Sequence, residues 1–481
     1  MKRMKMIASL ALAATMVLGL GACGGSSDSG SASTGSDSSA GSSETTTEET
    51  AATEASDEGK VLNIYCWNEE FKSRLTDHYP GYTEGASDLA ENEDGNVAGT
   101  AEGTIGDVKV VWHITPSKDN AYQNNLDETL LAQDSAAADD KIDLFLVEAD
   151  YALKYVDTEY TASVEDLGLS AADLGNQYQY TKDVMTDSNG VLKGVSWQGC
   201  PGVLIYNRDA AAEVLGTEEP SEVQEYVKDW DTFLATAEKM KAAGYKATAT
   251  ANDTFRVFSN NVSAPWVSDG KIQIDDSISK WVEMSKAMVD AGETGTADLW
   301  SDEWSAGFYP EGKVFAYFGP AWMINFSMAA DDEGSIANLG RWGACEGPQG
   351  FFWGGTWICG ATGTDNATLV ADIMRQLTTN EDIMLDIVKA DSDFVNNKPA
   401  MEAAAKDESF AFPILGGQNP LDMFCAGAEK IDLSNQGAYD QGLNESFQQA
   451  MKNYFDGNAS YEDALNQFYS DAETKYPALS H

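Results

Sequence analysis

From residue 60 onward, short apolar runs alternate with amphipathic stretches. Residues 61–68 (VLNIYCWN) and 107–114 (DVKVVWHI) are rich in β-branched and aromatic side chains, and 141–147 (KIDLFLV) turns continuously apolar after a polar start. Each has the length and composition of a strand. Between them the period changes. A helical pattern begins at about residue 71, and another from about 119 places Tyr122, Leu126 and Leu130 on one face at i, i+4 spacing. Strand, helix, strand, helix in this rhythm predicts a parallel sheet joined by crossovers. The polar, glycine-rich stretch 79–106 predicts a solvated loop; its Glu91–Gly95 run does not fit a calcium-binding loop, because Ala90 falls on the first ligand position.

A second series starts near residue 200. The run 203–206 (VLIY), bounded by Gly199, Pro201 and Gly202, predicts a buried strand, preceded at 187–190 by a turn signal. Helices are predicted over 208–215, from Asp229 to a stop at Gly244, and over 277–290, with a strand at 246–251. Around 311–322 a short strand leads through Gly319 and Pro320 into a helix start at Trp322. On a strand over 351–357, Phe351, Trp353, Gly355 and Trp357 face one way, with a slot between two indoles. The pattern after residue 367 is helical, including 443–454.

The first 59 residues differ in kind. Lys2, Arg3 and Lys5 precede a short apolar run, and the segment ending at Cys23 resembles a bacterial lipobox, which implies lipidation of Cys23. Residues 24–59 are Ser, Gly, Thr and Ala with scattered acids, a composition that buries no core and predicts a flexible tether. The formal net charge of −48 argues against nucleic acid and anionic lipid headgroups as partners. Three histidines leave a Ser-His-Asp triad or a multi-histidine metal site almost nothing to draw on. Besides Cys23 there are Cys66, Cys200, Cys345, Cys359 and Cys425, without a CxxC pair. Cys345 and Cys359 flank a glycine-rich turn, leaving open either one disulfide or isolated buried thiols.

Three segments carry a family resemblance. Gly194 to Asp209 (GVSWQGCPGVLIYNRD), Glu311 to Trp322 (EGKVFAYFGPAW) and Phe351 to Trp357 (FFWGGTW) follow one another as in the family 1 extracellular solute-binding proteins of ABC importers, the group that includes maltose-binding protein. The resemblance runs from about residue 60 to the C-terminus and includes the Trp230-Asp231-x-Phe233 helix start and the helix before Thr378–Glu381. It implies an α/β, class II periplasmic-binding-protein-like fold with two lobes, three hinge crossings near residues 199, 349 and 394, and a ligand cleft between the lobes. It also implies a tryptophan at Trp322 stacked on a sugar ring. A pyranose has an apolar C–H face and a hydroxyl rim, so it suits a flat aromatic surface ringed by acceptors. The ligand-binding candidates are Trp67, Asn68, Glu148, Asp150, Trp197, Gln198, Trp322 and Trp353, with Trp357 expected in the core. Asp150, just past the carboxyl end of the third strand, reads equally as a sugar contact or as the cap of the helix that follows.

The expected organisation is a signal peptide over 1–22, a lipid-anchored linker over 23–59, one lobe from 60–198 and 351–392, and a second from 199–350 and 393–481. The expected role is a monomeric, lipid-anchored receptor on the outer face of the cell membrane, delivering a soluble sugar to an ABC permease. That reading carries no cofactor, no metal and no catalysis. Two alternatives stand beside it: a secreted glycoside hydrolase using a carboxylate pair, and a binder of peptides or polyamines.

Overall fold

The computed structural model describes residues 56–92, 96–329 and 333–481. The expected signal peptide, Cys23 and nearly all of the tether lie outside them.

The chain enters as β1 (Val61–Cys66), whose inward side chains are almost fully buried, and passes into α1 (Glu70–His78), which packs Phe71, Arg74 and Leu75 inward. Next come β2 (Tyr82–Ser87) and β3 (Val97–Ile105), then β4 (Val108–Ile114), α2 (Ala121–Leu131), β5 (Leu144–Glu148), α3 (Ala149–Val156) and β6 (Val195–Ser196). β1 pairs in parallel with β4 and β5, as the crossover rhythm predicts.

The stretch expected to be a solvated loop is instead a hairpin that widens this sheet: β2 pairs antiparallel with β3, and β3 with β4. Its run of Ala, Gly and Thr gives little hydrophobic alternation, which hid it. What anchors it lies on neighbouring strands: Ala101 sits opposite Trp112, both buried, and Trp112 Nε1 donates to the Tyr82 hydroxyl (3.1 Å). At the foot of β5, Asp143 ties strands together. Its Oδ2 accepts from the Asn63 amide (2.8 Å) and its Oδ1 from Thr364 Oγ1 (2.6 Å), while burial pushes its carboxyl up to about 6.

The chain then crosses to a second sheet. β7 (Pro201–Asn207) is wholly buried and central. β8 (Lys246–Thr248), α4 (Phe255–Asn260), β9 (Val314–Gly319), β10 (Trp342–Cys345) and β11 (Phe351–Phe352) complete this half, with sheet order β10-β7-β9-β8 and β11 beside β7. The helix Trp230–Ala242 starts on a capping box, with Asp229 and Thr232 bonding each other's backbone, the capping chemistry its acidic start suggests.

Phe351 and Trp357 do not share one strand. Phe351–Phe352 still pairs with β7, the chain turns over Trp353–Gly355, and β12 (Thr356–Gly360) rejoins the first sheet, antiparallel to β5 and β6. The first sheet is therefore mixed, in the order β2-β3-β4-β1-β5-β12-β6. α5 (Ala367–Thr379) and α6 (Glu381–Asp391) cover it before the chain crosses again to the helices of the second half, α7 (Asp440–Phe455) among them.

The crossings are stitched together. The Gly199 amide donates to Phe394 O (2.9 Å), the Asn396 amide to Trp197 O (2.7 Å), and Asn396 Nδ2 to Ser196 O (3.0 Å). The Trp353 amide donates to Cys200 O (3.2 Å). All five cysteines after Cys23 are free thiols; Cys345 lies on β10 in one sheet and Cys359 on β12 in the other.

Candidate functional site

The carboxyl ends of β1 and β5 point toward the second half, and the expected site residues begin there. Trp67 follows β1 but is only 5% exposed, packed edge-on against Tyr122 and Tyr151 (centroids 5.6 and 6.1 Å). Asn68 Oδ1 accepts from the Glu70 amide (3.1 Å) and so fixes the entry to α1. Trp67, expected at the ligand, is thus packed in the core of the first lobe, and Asn68 serves the start of α1.

At the end of β5 the two acids divide their roles. Glu148, not Asp150, caps α3: its Oε2 accepts from the Asp150 amide (2.8 Å). Asp150 is free to reach across, and its two carboxylate oxygens meet the two terminal nitrogens of Arg256 on α4. This fork-on-fork ion pair joins the two lobes. Burial, and then the neighbouring Asp150 charge, raise the Glu148 carboxyl well above its usual range. Burial likewise pushes Asp440, at the start of α7, up to about 7. Arg256 is thus the cation among Glu148, Asp150 and Asp440.

The guanidinium of Arg256 also lies over the Trp353 ring, 5.7 Å from its centroid. Trp353 in turn meets Trp322 (5.3 Å, 75° between planes) and Trp300 (5.7 Å), and Trp300 and Trp322 are 6.1 Å apart. Trp322 Nε1 donates to Trp353 O (3.0 Å). Gly354 permits this approach: its φ is +78°, and a Cβ there would stand 3.0 Å from Trp322 Nε1. Trp322, Trp353 and Asp150 therefore converge, Trp322 on Trp353, Trp353 under Arg256 and Arg256 on Asp150, an arrangement of edge-on and tilted indoles beside a carboxylate–guanidinium pair.

Trp197 and Gln198 are placed differently. Trp197 is 1% exposed and packs on Phe71 (5.2 Å), so it belongs to the core of the first lobe and not to the indole cluster; the irregular entry to β7 turns it inward. Gln198 Nε2 donates to Glu70 Oε1 (2.7 Å). With Cys200, Ala321, Trp322, Asp393 and Phe394 it encloses a cavity of about 10 Å³, room for one water and not for a sugar ring. The lobes are closed on each other here. Trp357 is fully buried, donating Nε1 to Thr181 O (2.8 Å).

Beneath this cavity a buried charge network grips the third crossing. Arg74 Nε donates to Asp393 (2.8 Å) and Nη1 approaches Asp391 (3.2 Å), while His78 bridges Asp386 (2.9 Å) and Asp391 (2.8 Å). From the second lobe, Asn325 Nδ2 donates to Ser392 O (2.8 Å). Burial pushes the Glu70 carboxyl up to about 7 against the pull of Arg74. The hydrogen bond to Asp391 leads the effects that raise the His78 pKa, outweighing its burial. A raised histidine stabilises the folded state fully below its unfolded value of about 6.5, and that contribution is lost as pH rises through the higher folded value. His78→Gln is expected to flatten the melting temperature against pH above about pH 6.5; melts with the same slope as the parent would refute the assignment.

Two site residues escaped sequence reasoning. Arg256 is one cation in a short apolar helix start, FRVFSN, and its partner is far away in the chain. Trp300 sits at φ +70° in an irregular segment where no periodicity points to it. Among the described residues no group of three or more His, Cys, Asp or Glu is arranged to hold a metal ion, and no helix is long and apolar enough to cross a membrane.

Two α/β lobes, three stitched crossings and an aromatic, ion-paired site where the lobes meet define a two-lobed solute receptor. The chain belongs to the bacterial extracellular solute-binding protein family, whose model matches residues 102–411; this is a substrate-binding class and not an enzyme class. No curated protein sequence matches it. Solved structures share the fold at low identity. One is an extracellular solute-binding protein family 1 structure (19% identity, TM-score 0.69, covering 86% of this chain and 99% of that one). Another is the ABC transporter associated binding protein from B. animalis subsp. lactis Bl-04 in complex with β-1,6-galactobiose (14%, TM-score 0.59, 88% and 100%). A third is the sugar-binding protein MalE from Xanthomonas citri (13%, TM-score 0.62, 86% and 96%).

Proposed function

We propose that this protein is the lipid-anchored receptor of an ABC importer, capturing a neutral sugar, an oligosaccharide, between its lobes and presenting it to a membrane permease without transforming it. The observation that carries the reading is the meeting of Trp300, Trp322 and Trp353 beside the Asp150–Arg256 pair, at the seam between the lobes. Indole faces match the C–H face of a pyranose, and Asp150 and Arg256 supply an acceptor and donors for its hydroxyls. The fold shared with proteins whose solved structures hold β-1,6-galactobiose and other sugars supports it. Residues 60–198 with the return through β12 to α6 form the lobe carrying Asp150. Residues from 199 to β11, with those after 393, form the lobe carrying Arg256, Trp300 and Trp322, and Trp353 stands on the crossing between the two lobes. Cys23 is the anchor.

Since the enclosed cavity holds no more than a water, the ligand enters an open form and stabilises a closed one by touching both lobes. A thermal-shift screen of α- and β-linked di- and trisaccharides is expected to find a sugar that raises the melting temperature. At a hundredfold excess over Kd the stabilisation is about 2.7 kcal/mol. A second reading rests on Arg256 itself: a cation seated on Trp353 among Glu148, Asp150 and Asp440 resembles a bound cationic solute. Spermidine or an arginine-containing peptide stabilising the protein, with every sugar inert, would decide for that reading.

A further inference from the structure

A second groove lies wholly within the first lobe, against the hairpin that the sequence did not announce. β1, β3, β4 and α2 border an open surface groove there of about 390 Å³, a volume within the range of small-molecule sites. Tyr65 and His113 form one wall, stacked at 4.4 Å with 17° between their planes. Thr100, Thr115 and Asn125 supply hydroxyls and an amide. Gly99 contributes backbone only: its φ is +125°, and a Cβ would stand 2.8 Å from Asp88 O, so no side chain can grow there.

The chemistry of the wall is fixed from behind. Asn63 donates both amide hydrogens, to Asp139 O (3.1 Å) and Lys141 O (2.8 Å), so its Oδ1 is an acceptor. His113 Nε2 lies 3.0 Å from that oxygen and must therefore be the donor. Burial lowers the His113 pKa, which keeps the ring neutral at pH 7 and leaves Nδ1 a lone-pair acceptor. The groove thus offers a flat apolar face, hydroxyls, an amide and a neutral imidazole. No carboxylate, ammonium or guanidinium lines it.

We propose that this groove is a second binding site, for one neutral polyhydroxylated ring of pyranose size, filled independently of lobe closure. A charged ligand finds no counter-ion in the lining; Asn125 Nδ2 donates to Thr115 Oγ1 (3.4 Å), which leaves the Asn125 carbonyl, the Thr115 hydroxyl hydrogen and the Thr100 hydroxyl to meet a ligand's own hydroxyls. Every wall belongs to the first lobe, so occupancy exerts no pull on the second. The groove lies beside the end of β1, where the Thr115 amide donates to Cys66 O (3.1 Å). It lets the receptor hold a sugar unit on the first lobe whether the lobes are open or shut.

With three histidines in the chain, imidazole NMR reads the site directly. Methyl α-D-glucopyranoside and methyl β-D-galactopyranoside are the probes, with sorbitol and spermidine as controls. A saturable shift of the His113 resonance by a pyranoside, with Kd on the order of millimolar, is expected. It should vanish in Thr100→Val/Asn125→Leu and persist in Trp322→Ala/Trp353→Ala, while unchanged His78 and His481 signals certify folding. The proposal is overturned if neither pyranoside gives a saturable shift, if sorbitol or spermidine shifts His113 equally, or if the shift survives in the groove variant. A shift lost in the indole variant instead would assign it to the cleft, which also overturns the proposal and leaves the cleft reading standing.

Discussion

Arg256→Ala is expected to open the molecule. The variant leaves Asp150 partly buried beside Glu148 and Asp440 without a facing cation, and removing one partner of such a pair costs about 3 kcal/mol. Both side chains are less than a quarter exposed, at 24% and 18%, so solvent screening softens this only in part. The cost falls on the closed form, because in an open form each group regains water. The closed-to-open ratio should drop by about a hundredfold. Small-angle scattering would register a larger radius of gyration, and Arg256→Ala/Asp150→Asn should recover part of the closed population by removing the stranded charge. Superimposable profiles for the parent and Arg256→Ala would show that the pair is no latch.

The second large effect separates three tryptophans that look alike in sequence. Trp357→Ala empties a fully buried site and removes the bond to Thr181 O, so it should cost about 4 kcal/mol of stability. Trp322 is half-buried at the seam, and Trp322→Ala should instead cost affinity: about 2 kcal/mol, roughly thirtyfold in Kd, for whichever sugar passes the melting screen. Trp353→Ala should do both, since its ring supports Arg256 as well as the ligand. Calorimetry on the folded variants reads the affinities. Unchanged sugar binding by Trp322→Ala would remove that indole from the site.

How much of this was legible depends on where each residue's partners lie. β1, β4, β5 and β7 were visible because their own side chains bury them, and burial of a strand is written locally as an apolar run. The hairpin β2–β3 was not, because Trp112, which holds it by packing on Ala101 and bonding Tyr82, stands outside the glycine-rich stretch that looked loop-like. Capping was legible at Asp229, where the bonding residues are three apart, but at the end of β5 the reading of Asp150 stayed open between sugar contact and cap. Glu148 takes the cap there and Asp150 pairs with Arg256, a partner more than a hundred residues away that no local pattern reveals. The convergence of Trp322 and Trp353 followed from the order of family segments. Trp300 and Arg256 had no such guide, and Trp197 fell into the core because the strand entry carries a turn that periodicity does not encode.

The Cys200 thiol sits at the wall of the small seam cavity, 3% exposed, with burial holding its pKa well above the usual value. In the shut molecule it is chemically silent, being neither accessible nor ionised. Thiol labelling of Cys200 is therefore expected to slow when a bound sugar holds the halves together, and equal labelling with and without sugar would show that this sulfur does not report on the gap.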